Sequence, residues 1–226
     1  MTLPLPLIII NLKTYESGSD VNAERLALAC QTVAGTYRAG VALACQAADL
    51  FRLSKTTSLP LLAQDIDPAD FGAHTGASII ETARCNGAVG TLLKHSECQA
   101  PASHIKAVVA KAKRLGFITV VCAKNSTEAG RFARLNPDFI AVEPPELIGG
   151  NVSVSTARPQ LVLSSVKAVG SFSTLLVGAG VKTEEDVRTC LHLGAKGVLV
   201  SSGIVQAKDP ARQLRQLLEG TKNKHQ

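Results

Sequence analysis

Eight short apolar runs, many rich in β-branched residues, recur along the chain, and each gives way to a stretch whose apolar positions return every three or four residues. The runs are Leu7–Asn11, Val41–Cys45, Leu59–Gln64, Ala88–Leu93, Phe117–Cys122, Phe139–Val142, Thr174–Val177 and Gly197–Val200. They carry little polar alternation, as expected of strands covered on both faces, and strict strand–helix succession favours a parallel sheet. Eight such units predict an α/β fold, a single (β/α)8 barrel of parallel strands ringed by helices. The alternative, an open doubly wound sheet, wants a glycine-rich fingerprint after the first strand, where Asn11-Leu12-Lys13-Thr14-Tyr15 stands instead.

The helical stretches have clear inner faces. Ala23, Leu26, Ala27 and Cys30 share one side of the first, and Ile105, Val108, Val109 and Ala112 repeat the pattern. Val187, Cys190 and Leu191 belong to a helix entered through Thr183, with Asp186 placed to complete a capping box. Gly116 and Gly194 are read as helix stops. Residues 1–220 are expected to form one domain and residues 221–226 a frayed tail.

Composition narrows the function. The run Leu3–Ile10 is broken by Pro4 and Pro6 and is far shorter than the roughly 20 residues of a membrane helix, and nothing around it resembles a secretory signal. The six cysteines show no C-x-x-C pair and read as small buried hydrophobes in a reducing compartment. A cytoplasmic location and no membrane partner are therefore expected. A net charge of +6 favours an anionic ligand, but 4% aromatics and dispersed basic residues argue against nucleic acid. Asp65, Asp67 and Asp70 lack the spacing of a calcium loop, so no metal and no cofactor are expected. His104, His192 and His225 are read as surface residues.

Chemistry-bearing residues collect where the barrel predicts a mouth, just after the strands. Asn11 ends the first run and Lys13 follows it, Lys94-His95-Ser96-Glu97 follows the fourth, and Glu143-Pro144-Pro145-Glu146 the sixth. Gly178-Ala179-Gly180 and Ser201-Ser202-Gly203 follow the last two. An amide, an ammonium, an imidazole and a carboxylate make a proton-transfer inventory, and the two small-residue turns can aim N–H groups at an anion.

In order, spacing and strand position these segments resemble the triosephosphate isomerase family over nearly the whole chain. Asn11-x-Lys13 is similar to the family's Asn-x-Lys, Lys94-His95-Ser96-Glu97 to its Gly-His-Ser-Glu, and Ala141-Val142-Glu143-Pro144 to its Tyr-Glu-Pro. Gly72-Ala73-His74-Thr75-Gly76 resembles its subunit-contact loop, and Glu143 to Gly149 together with Gly178-Ala179-Gly180 looks most like the short archaeal branch. The resemblance implies a phosphorylated triose substrate, a homodimer or homotetramer, Glu143 as base and His95 as neutral acid. It further implies Lys13 and Asn11 at the oxyanion, Ser96 and Glu97 in support at the start of a short helix, and phosphate contacts from Ile148, Gly149, Gly180, Ser201 and Ser202.

The chain departs from the family pattern in places. Gly180 replaces a serine, Ser201-Ser202 replace two glycines, and the lid loop that the resemblance implies over Pro144 to Asn151 ends Ile148-Gly149-Gly150-Asn151 instead of Ile-Gly-Thr-Gly. Taken one at a time, Glu143 would be a solvated loop residue, His95 a structural imidazole and Lys13 a strand-end charge. Another phosphosugar barrel enzyme and a non-catalytic phosphate binder are the competing functions.

Overall fold

The computed structural model describes residues 2–147, 153 and 157–222. Its strands are β1 (Leu7–Asn11), β2 (Gly40–Cys45), β3 (Leu61–Ala63), β4 (Ala88–Leu93), β5 (Ile118–Ala123), β6 (Phe139–Val142), β7 (Thr174–Gly178) and β8 (Gly197–Val200). All neighbours pair in parallel, and β8 pairs with β1 to close the barrel. The expected β3 was longer; Pro60 has no N–H for the ladder, and the strand begins after it.

The principal helices among the described residues are α1 (Asp20–Ala34), α2 (Leu50–Thr56), α3 (Ile80–Cys85), α4 (Ala102–Leu115), α5 (Ser126–Ala133), α6 (Pro159–Val169), α7 (Glu184–His192), α8 (Ser202–Val205) and α9 (Pro210–Glu219). The predicted inner faces of α1 and α4 are buried. Thr183 and Asp186 form the reciprocal capping box at the start of α7, and Gly116, left-handed at φ 63°, ends α4. None of the described helices is long and apolar enough to cross a membrane.

Strand periodicity divides the core into two shells. Ile8, Ile10, Leu43, Leu93, Val121, Ile140, Val177 and Val198 face the helices. Their neighbours Leu7, Ile9, Ala42, Ala44, Leu62, Leu92, Val120, Cys122, Ala141, Leu176 and Leu199 fill the barrel interior. Because successive side chains point to opposite faces, the next inward position on each strand emerges at the C-terminal mouth. That position is Asn11 on β1, Gln64 after β3, Glu143 after β6, Gly178 on β7 and Ser201 after β8.

Several expectations need correction. Cys30, Cys45, Cys122 and Cys190 are buried, but Cys85 and Cys98 are exposed, since they sit at a helix end and in a surface turn; all six are free thiols. His104 is partly buried, its Nε2 lying 3.0 Å from the Ile66 carbonyl, because the loop after β3 folds over α4. Ser96 and Glu97 form a turn, not a helix, closed by the Cys98 N–H donating to the His95 carbonyl at 2.8 Å. In the expected tail, the Thr221 and Lys222 N–H groups donate to Leu218 and Glu219, while residues 223–226 lie outside the described region.

Candidate active site

A cleft at the C-terminal mouth brings together Asn11, Lys13, His95, Glu143, Gly180, Ser201 and Ser202. Ser96 instead lines a side pocket behind Glu143, and Glu97 stands on the rim beside Lys13. Ile148 and Gly149 lie outside the described residues.

Glu143 and His95 meet across the cleft with Oε2 of the carboxylate 3.8 Å from Nε2 of the imidazole. Both are buried, at 7% and 6% exposure, and Glu143 Oε2 has no hydrogen-bond partner. Burial pushes the Glu143 carboxyl above the usual carboxylate range, although His95, the Cys122 thiol and Lys13 pull the other way. Gly178 makes room for it: a Cβ at that position would lie 2.4 Å from Glu143 Cγ. The glycine thus serves the carboxylate, a task that its place in a small-residue turn did not disclose.

The imidazole is held from its far side. The Glu97 N–H donates to Nδ1 at 3.2 Å, and an Nδ1 that accepts leaves the neutral ring's proton on Nε2, the nitrogen facing Glu143. Sequence reasoning expected a helix N-terminus here, and a single backbone N–H in a turn does the orienting.

Lys13 follows β1 in a left-handed conformation, φ 49°, and its Nζ donates to Glu97 Oε1 at 2.6 Å. Asn11 Oδ1 accepts from the Lys13 N–H at 3.0 Å and from Gln64 Nε2 at 3.2 Å. With its oxygen engaged, the Asn11 amide turns its NH2 toward other partners. Gln64 also donates to the Lys13 carbonyl, at 3.0 Å, and so ties Asn11 to the residue just beyond β1, a task that its place at the end of the third run does not reveal.

On the opposite wall, Ala179 and Gly180 are both left-handed, at φ 73° and 72°, and α8 begins directly after Ser201. The first N–H groups of a helix have no partner within it, so this corner offers donors to an anion. The Ser201 hydroxyl is buried with no partner of its own, and Lys182, not anticipated, joins the lining. Among the described residues no group of three or more His, Cys, Asp or Glu side chains is placed to hold a metal ion.

The family model for triosephosphate isomerase matches residues 6–219. The chain belongs to the triosephosphate isomerase family. It is 40% identical to the triosephosphate isomerase of Methanothermus fervidus over 216 residues, covering 94% of this chain and 97% of that protein. It is 42% identical to that of Methanothermobacter thermautotrophicus over 216 residues, covering 94% of each chain. The same fold is seen in the crystal structure of triosephosphate isomerase from Bartonella henselae, at TM-score 0.74 and 17% identity, covering 97% of this chain and 99% of that one. The resemblance to the family's archaeal branch accords with these methanogen relatives.

Proposed function

We propose that this member of the triosephosphate isomerase family interconverts dihydroxyacetone phosphate and D-glyceraldehyde 3-phosphate through an enediolate, with Glu143 as base and His95 as neutral acid. The observation that carries the assignment of roles is the buried, unpartnered Glu143 Oε2 facing His95 Nε2 at 3.8 Å. No protein group binds that oxygen, and the carboxylate lines the cleft, where a carbon acid can meet it. Glu143 takes the proton from the carbon beside the carbonyl and returns it to the neighbouring carbon. His95 donates from Nε2 to the oxygen that gains charge, and relays the proton between the two oxygens.

Burial of Glu143 raises its affinity for the proton, which makes it a better base than an exposed glutamate. Lys13 supplies the fixed positive charge and the Asn11 NH2 a second donor toward the developing oxyanion, each prepositioned by Glu97 and Gln64 respectively. N–H groups of Gly180, Ser201 and Ser202 take the phosphate, with Ile148 and Gly149 completing the contact. No cofactor enters this reaction.

We further place the enzyme in the cytoplasm, where six free thiols are stable. A homodimer or homotetramer is supported by the segment from Asp70 to Ala77, which is exposed throughout and carries the contact-loop pattern. The test of the function is a coupled assay with glyceraldehyde 3-phosphate. Turnover competitively inhibited by 2-phosphoglycolate is expected, and absence of isomerisation in the folded protein overturns the reading.

A further inference from the structure

His95 is the exception to the rule that built the rest of the site. On β4, Leu92 points into the barrel and Leu93 toward the helices. Continued alternation would send residue 94 inward and residue 95 outward, away from the mouth. The chain avoids this by one step: Lys94 is left-handed, with φ 57°, and resets the direction of the backbone before His95. The family's Gly-His-Ser-Glu pattern puts glycine at this step, a residue that adopts such a conformation freely. A lysine there carries the strain of its Cβ, so something else must hold it.

Glu128 does the holding. Lys94 Nζ lies 3.1 Å from Glu128 Oε1, both side chains are 10% exposed, and the ammonium rests 5.5 Å from the centre of the buried Phe132 ring. Glu128 is itself anchored at the start of α5. Its N–H donates to Asn125 Oδ1 at 2.9 Å, and its Oε2 accepts the Lys124 N–H at 2.9 Å. Burial works against its ionisation, but the Lys124 N–H and the Lys94 ammonium outweigh it and hold the carboxyl below the usual range. Arg131, mostly exposed, adds a weaker contact with the same carboxylate at 3.6 Å.

We propose that the Lys94–Glu128 ion pair is a positioning device for His95: it fastens residue 94 in the left-handed turn that aims the imidazole into the cleft. The inference rests on His95 acting as the acid, which is tested separately: His95→Gln with wild-type turnover would remove that premise.

Three variants test the device itself. Lys94→Met keeps the Cβ and loses the charge, Glu128→Gln keeps the shape and leaves the lysine unpaired, and Lys94→Gly removes both the charge and the strain. The expected result is kcat lowered roughly 10-fold or more in the first two at near-constant KM, as a small displacement of a catalytic group produces. Lys94→Gly should return kcat close to the wild-type value even though its melting temperature falls with the others. Two results overturn the proposal: lowered melting temperatures with unchanged kcat in Lys94→Met and Glu128→Gln, or a Lys94→Gly enzyme as slow as Lys94→Met. Should Lys94→Met not fold, Glu128→Gln and Lys94→Gly decide between the same results.

Discussion

Glu143, the proposed base, links the stability of the fold to pH. Its carboxyl is raised above its ordinary range mainly by burial, so the folded chain binds that proton more tightly than the unfolded chain does. Below the ordinary glutamate range both states are protonated and burial costs nothing. As pH rises past that range toward and through the raised value, the unfolded chain ionises first and stability is lost. Glu143→Gln, uncharged throughout, should therefore melt higher than wild type at neutral pH, by about 2–4 °C for each kcal/mol the charge costs. The gain should vanish in acid, and calorimetry across the pH range checks both halves. That Asn11, Lys13, His95 and Glu143 would meet at one mouth was legible because they stand at or just after the ends of strands that the apolar pattern marks. Gln64 was not, because it acts by fixing another amide's orientation, and spacing does not record hydrogen bonds. Nor was the left-handed Lys94 legible, since lysine is no signal for φ 57°.

At the scale of elements, local rules were most informative where one residue answers another a few positions on. The capping box of α7 was readable from Thr183 and Asp186 alone. The turn at Ser96 and Glu97 was not, since a short polar stretch serves a turn and a helix start equally well. Thr183→Ala removes the hydroxyl that accepts the Asp186 N–H and should cost about 1 kcal/mol in urea unfolding. Thr183 itself does not line the cleft, so kcat and KM should stay at wild-type values. Altered kinetics would mean that α7 helps to shape the proposed phosphate corner.

In the whole molecule, β1 pairing with β8 gathers residues 11, 95, 143 and 201 at one mouth, which the count of eight runs anticipated, and brings Gln64 there as well, which it did not. What the count does not reach is assembly, which depends on surfaces instead of periods. Phe71 is 75% exposed at the start of the contact-loop segment, an apolar group that a second subunit would cover. Light scattering should give a mass at least twice the 23.6 kDa of the chain, and Thr75→Arg in the same loop should lower it. A monomeric wild-type protein would contradict the proposed assembly.

In the proposed reaction Glu143 moves a proton between two carbons while His95 faces it across the same substrate. Glu143→Asp tests it most directly, since shortening the side chain by one methylene withdraws the base and leaves the phosphate corner intact. Steady-state kinetics with glyceraldehyde 3-phosphate should show kcat lowered roughly 100-fold with KM little changed. A variant that turns over at the wild-type rate would rule out Glu143 as the base.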